Sequence, residues 1–236
     1  MGKKAKNNPD TQVIYILNTY RNSFISTLLN FGKEIYRNYP WRCERNPYKV
    51  FISEIFLQRT KADQVVPVYE KFLQKYADLK HLVSEFDLNE ISNILKPLGL
   101  EKRTKIILDI IEHYKGKKNP KIPNKYDKLI NFKGIGNYIA SATLCFGFGE
   151  RKAILDTNVA RIYMRICNIH SKTKTPKDDD FLLEFCQKML PDENYIEFNY
   201  YLLDFGGLIC TSHNPKCMEC PFNKDCFYFH ETKLEN

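Results

Sequence analysis

Apolar residues recur at helical spacing along nearly the whole chain, and no sustained period-two alternation interrupts them. That pattern confines the chain to packed helices, because an amphipathic helix must bury its apolar stripe against a neighbour. Val13, Ile16, Leu17 and Tyr20 open the series, followed by Phe24, Leu28 and Leu29. The spacing predicts helices over 50–57, 65–72, 91–95 and 104–114, the last with Ile106, Ile107, Ile110 and Ile111 on one stripe. It predicts others over about 125–132, 137–146, 157–167, 178–190 and 194–209. Pro40, Pro47, Pro97, Pro120, Pro123, Pro176 and Pro191 fall between these segments, where the missing N–H does least harm. The fold class is all-α.

At 236 residues, with 43% hydrophobic residues, 16 Phe and 15 Tyr, the chain can bury a core in one large domain or two small ones. This composition excludes disorder. No apolar stretch approaches the length of a membrane-spanning helix, so no membrane partner is expected. The first eight residues are polar and lack the apolar segment of a secretory signal. The expected location is the cytoplasm, at the nucleoid, or the nucleus of a eukaryotic source.

The net charge of +8 is unevenly spread. Residues 1–50 hold nine Lys or Arg against three Asp or Glu, and residues 101–150 hold ten against five. Residues 171–200 reverse the balance, four against seven. Basic segments in a folded chain suit a polyanion such as nucleic acid, although a solvated lysine-rich surface reads the same way. Residues 115–125 form a basic loop, and three acidic residues at 178–180 suit the start of a helix.

Eight cysteines fall into two groups. Cys43, Cys145, Cys167 and Cys186 stand alone, mostly within apolar patterns, and are expected in the core. Cys210, Cys217, Cys220 and Cys226 lie within 17 residues, at spacing Cys-x6-Cys-x2-Cys-x5-Cys. In a reducing compartment such a group points to a metal, either zinc or a four-iron cluster. Structural zinc usually takes two close pairs. One close pair with two longer arms suits the iron–sulfur cluster better.

Two further signals carry chemistry. Phe132-Lys133-Gly134-Ile135-Gly136-Asn137-Tyr138 joins two predicted helices through a pair of glycines that permits a tight reversal. The N–H groups opening the second helix could grip a phosphate, and the same residues would also serve an ordinary glycine-capped corner. Glu54 has Val50, Phe51, Leu57 and Gln58 three and four residues away, so its carboxyl faces partly apolar surroundings that favour protonation. Asp156 precedes the predicted helix at 157–167 and could be either a plain N-cap or an acid–base group.

The order Glu54, Gly134-Ile135-Gly136, Asp156 and Cys-x6-Cys-x2-Cys-x5-Cys resembles the helix–hairpin–helix (HhH-GPD) DNA glycosylases of the endonuclease III superfamily, from about Trp41 to Cys226. The resemblance implies two helical domains with a DNA-binding cleft between them. One is a six-helix barrel domain at 46–155. The other joins 1–45 to 156–236 and holds a 4Fe-4S cluster on Cys210, Cys217, Cys220 and Cys226. It implies Asp156 as the catalytic aspartate, assisted by Glu54 and Tyr138. DNA contacts are implied from Gly134, Ile135, Gly136, Gln58, Arg59, Trp41, Arg42 and Asn158. The implied partner is double-stranded DNA with a mismatched base, bound by a monomer, with an abasic-site endonuclease acting downstream.

Strand-cleaving members carry a lysine where this chain has Tyr138, and a phenol cannot form a Schiff base. A monofunctional enzyme is therefore expected, with water as the nucleophile. Two subfamilies share this feature and resemble Pro40-Trp41-Arg42 followed by Asn46-Pro47-Tyr48: mismatch thymine/uracil glycosylases acting opposite guanine, and MutY-type adenine glycosylases. The chain ends ten residues after Cys226, leaving no room for the domain with which MutY-type enzymes read oxidised guanine. Arg59 in Leu57-Gln58-Arg59-Thr60 matches the thymine enzymes and Gln58 the adenine ones. Removal of thymine or uracil is the expected reaction, adenine removal the alternative, and a non-catalytic DNA-binding module the second alternative.

Overall fold

The computed structural model describes residues 9–99 and 101–234, and they are helical, with no strand among the described residues. Thirteen α-helices follow in order: α1 Pro9–Thr19, α2 Arg21–Phe31, α3 Pro47–Leu57, α4 Ala62–Lys75, α5 Leu79–Ser84, α6 Leu88–Leu95, α7 Glu101–Tyr114, α8 Tyr126–Leu129, α9 Asn137–Ala142, α10 Thr157–Cys167, α11 Asp180–Met189, α12 Tyr195–Leu208 and α13 Phe227–Leu234. Single turns of tighter helix precede or follow several of them, at Pro40–Arg42, Lys96–Leu98 and Pro176–Asp178. A five-residue π turn, Thr143–Gly147, continues α9.

The helices start where side-chain oxygens satisfy the first N–H groups. Asn46 accepts from the backbones of Tyr48 and Lys49 ahead of Pro47, and Asp78 and Asp87 cap α5 and α6. Asp179, from the acidic run, caps α11 and also accepts from Ser171 Oγ and Lys172 N. Asn168 ends α10 in the left-handed conformation.

The chain divides into two compact units, 38–150 and the discontinuous pair 1–37 with 151–236. In the first, α3 is the central helix: Val50, Phe51, Ile52, Ile55 and Phe56 are buried on every side of it. It packs against α4, α9 and the π turn. Gly147 allows the closest approach, for a Cβ there would stand 2.8 Å from Pro47 Cα. In the second unit the ring of Phe24, from α2, stacks on Phe222 at 4.7 Å and meets Tyr163 and Phe198 at 5.4 and 6.2 Å. Residues nearly two hundred positions apart thus share one core.

Several expectations need revision. The first apolar series falls on two helices that meet at Tyr20, and the helix expected over 65–72 extends to Ala62–Lys75. Helices α5 and α13 carry too few periodic positions to be read from sequence. Cys145, Cys167 and Cys186 are buried, whereas Cys43 is exposed, its thiol donating to Asn38 Oδ1 at 3.4 Å.

Phe24→Ala removes the ring that four aromatic neighbours surround, and should cost about 3–5 kcal/mol. A guanidinium unfolding curve checks it, with the midpoint falling and the slope unchanged.

Candidate functional site

The hairpin lies between α8 and α9. Gly134 has φ +81°, and a Cβ there would come within 2.6 Å of Ile106 Cδ1, so glycine is required twice over. Gly136 differs: its backbone is extended, and a Cβ would meet nothing within 4 Å. The reversal therefore rests on the first glycine, while the second keeps open space at the start of α9. Ile135 is buried and anchors the turn, and Gly134, Gly136 and Lys133 are exposed. Tyr126 Oη donates to Asn137 Oδ1 at 2.8 Å, holding α8 to the first residue of α9. Tyr138 is partly buried against the core of its unit.

The basic loop at 115–125 is held against this hairpin. Tyr114 Oη donates to Lys121 O at 2.6 Å, Ile122 is buried, and the rings of His113 and Tyr114 lie 4.9 and 6.0 Å from Phe132. Lys115, Lys117, Lys118, Lys121 and Lys125 are exposed. The result is a row of cations fixed beside exposed backbone N–H groups, a surface suited to phosphates.

Glu54 is 3% exposed on α3, beside the fully buried Ser53. Gln58 ends that helix, and its Nε2 donates to Gly134 O at 3.1 Å, tying the segment after α3 to the hairpin. Arg59 follows, exposed and at φ +57°. Trp41 and Arg42 are buried rather than displayed: Trp41 stacks on Tyr39 at 5.0 Å and meets Tyr69 edge-on, and the Arg42 guanidinium lies over the Tyr39 ring.

Asp156 caps α10 and belongs to the other unit. Its Oδ1 accepts from Asn158 N at 2.8 Å and Val159 N at 2.7 Å, and its Oδ2 accepts from Asn158 Nδ2 at 2.9 Å. Asn158 Oδ1 in turn accepts from Arg161 Nη2 at 2.8 Å. Arg161 Nη2 also donates to Gly206 O, and its Nε to Cys210 O at 2.9 Å. A Cβ on Gly206 would stand 2.7 Å from Asn158 Cβ, so a glycine in α12 makes room for this chain of bonds. Burial raises the Asp156 carboxyl above its ordinary value, against the three hydrogen bonds and the Arg161 charge that lower it. The capping role alone was evident in the sequence; the Asn158–Arg161 support was not.

Cys210, Cys217, Cys220 and Cys226 line one small cavity, walled by Ile166, Ile209, Pro215 and Tyr228. Among the described residues no group of three or more His, Cys, Asp or Glu is gathered to hold a metal ion. Burial pushes the Cys220 thiol up to about 12 and raises Cys217 and Cys226, whose thiolates would also repel one another. Arg165 faces them, with Nη1 3.7 Å from Cys210 Sγ and its guanidinium over the Tyr228 ring.

Comparison with known proteins gives the family likeness of the chain. The pattern of the HhH-GPD superfamily of base excision DNA repair proteins matches residues 52–188. A thymine-DNA glycosylase of Aeropyrum pernix is 35% identical over 197 residues, 82% of this chain and 88% of that protein. An adenine DNA glycosylase of Buchnera aphidicola subsp. Baizongia pistaciae is also 35% identical, over 89% of this chain, but the chain spans only 60% of that protein's length. The structure of a thermostable thymine-DNA glycosylase superposes with a TM-score of 0.83 at 29% identity, covering 92% of this chain and 99% of that one.

Asp156→Asn keeps the cap while removing a partly buried charge. A carboxyl whose value is raised on folding loses stability as pH rises through that value. The Asn variant should therefore melt above the parent at pH 7, and the gap should close as the pH falls into the acid range. Thermal melts across pH check it.

Proposed function

The chain belongs to the HhH-GPD superfamily of base excision DNA repair proteins, and on that premise we propose that it is a DNA N-glycosylase that hydrolyses the glycosidic bond of thymine or uracil opposite guanine and leaves the strand intact. The observation that carries this reading is the Asp156 carboxylate, partly buried and oriented by Asn158, which Arg161 holds in turn. Lysines beside the hairpin take duplex phosphates without reading sequence, and the flipped nucleotide costs least where pairing is already faulty.

Bond breaking leaves positive charge on the deoxyribose, which an ionised carboxylate offsets, as in sugar hydrolysis. Asp156 fills that role and orients the attacking water. Held in one position by two backbone N–H groups and one amide, it needs no reorganisation as the charge appears. Glu54 supplies a hydrogen bond to the departing base, and the Tyr138 phenol lines the sugar's surroundings without offering an amine. Gln58 and Arg59, held at the end of α3, fill the gap left in the stack. Arg59 is what favours thymine or uracil over adenine, as in the thymine branch that the sequence resembles.

The four cysteines fit a 4Fe-4S cluster. A cluster brings its own bridging sulfides, so its ligands surround a cavity instead of closing on one ion, and the apolar walls with Arg165 suit its charge. Bound there, it would supply structure, ordering the segment from Cys210 to Cys226 that presents the exposed Lys216 and Lys224.

Single-turnover assays on duplexes with T:G, U:G, A:G and A:oxidised-G pairs test the reading. Rapid release at T:G and U:G is expected, with the strand intact until alkali is added. Faster release of adenine would replace the substrate assignment, and no release at all would leave a DNA-binding module. Asp156→Asn should slow release by about 10²–10⁴-fold while duplex affinity holds. Anaerobically isolated protein should be brown, with about four irons per chain, and zinc in a colourless protein would refute the cluster.

A further inference from the structure

Helix α7 buries a guanidinium without a counter-charge among the described residues. Arg103 falls on the same stripe as Ile106, Ile107, Ile110 and Tyr114 and is 0% exposed. Among the described residues no carboxylate pairs with it, and burial lowers its pKa. A cation is expensive to bury, so its donors must be met elsewhere. Nε donates to Ile55 O at 3.3 Å and Nη1 to Leu98 O at 2.8 Å. Nη2 donates to Thr60 Oγ1 at 2.7 Å and to Gln58 O.

The last two acceptors flank one residue. Between Gln58 and Thr60 stands Arg59, whose φ of +57° is rare for a side chain other than Gly, Asn or Asp. Such a conformation persists only where its surroundings hold it. Here a single nitrogen holds the backbone carbonyl of Gln58 on one side and the side-chain hydroxyl of Thr60 on the other, and the Gln58 side chain is held separately by Gly134 O. Lysine could not replace this arrangement, because a point charge lacks the planar fork that reaches four oxygens in two loops.

We propose that Arg103 is the positioning residue for stack opening: buried and out of contact with DNA, it locks the bend at 58–60 so that the Gln58 and Arg59 side chains are already set to fill the gap left by the flipped base. This rests on the reading that those two residues enter the stack. Pre-setting them removes an ordering step from each opening event. The segment after α3 is then a fixed tool and not a loop that forms around DNA.

The test uses full-length protein and a T:G duplex carrying 2-aminopurine beside the target, whose fluorescence rises on unstacking. Arg103→Lys and Arg103→Met should lose more than about half of that rise and slow single-turnover release by about 10–100-fold. Affinity for the fully paired duplex, set by phosphates, should stay within about twofold. A general loss of structure would instead lower both together. Should both variants fail to fold, Thr60→Val, which removes one acceptor at the bend, should reduce the rise in the same direction with paired-duplex affinity intact. A full fluorescence rise and parental rate in folded Arg103→Lys, or in Thr60→Val where it must stand in, would overturn the proposal. Gln58→Ala and Arg59→Ala separate the two ideas. If both keep the full rise, the stack-filling reading fails and takes the proposal with it. If they abolish it while Arg103→Lys does not, positioning by Arg103 alone is wrong.

Discussion

The Arg161 guanidinium joins three parts of the larger unit that are far apart in sequence. It reaches the carbonyls of Gly206 and Cys210 and the side chain of Asn158, so one planar group fixes the start of α10 against the end of α12 and the first cysteine of the cavity. Arg165, one turn later, repeats the pattern on Thr211 and Ser212. Two arginines on one helix face thus satisfy one carbonyl in the last turn of α12 and three in the segment that follows it. Asp156 inherits its orientation from this frame. A carboxylate standing alone at a helix start could turn toward solvent; this one is held at both oxygens.

The same device appears in the smaller unit, with a different purpose. Arg103 directs three of its bonds to carbonyls near helix ends, at Ile55 in the last turn of α3, at Gln58 just after it and at Leu98 before α7. Both units use guanidinium groups, fully buried at Arg103 and partly buried at Arg161, in place of extra secondary structure, and in both the segment so fixed carries residues proposed to act on DNA. An ion pair would neutralise the charge but would leave those carbonyls unmet.

Much of this was legible in the sequence, because it follows from local periodicity. The stripes of α7 and α10 are regular, α3 and α12 are apolar around most of their circumference, the glycines mark the hairpin, and the cysteine spacing marks the cavity. What escaped follows from distance along the chain. Arg103 occupies an apolar register position on α7, which hints at burial, but its acceptors lie up to 48 residues away. Arg161 stands one turn from Asn158, yet the carbonyls it binds are 45 and 49 residues further on. Trp41 and Arg42 look like surface anchors in a basic segment, and their burial depends on Tyr39 and Tyr69 arriving from both sides. The short helices α5 and α13 take their stability from packing and offer little pattern of their own.

The discontinuous unit has a consequence for how the chain is made. Helices α1 and α2 are made before the 38–150 segment, yet Phe24 meets Tyr163, Phe198 and Phe222, all of which lie beyond it. The intervening 38–150 segment can complete its own core during synthesis, while α1 and α2 wait with their apolar faces exposed until Phe222 has been made. Nascent chains stalled before Phe222 would hold one finished unit and one unfinished one, the state in which a chaperone would find most to bind.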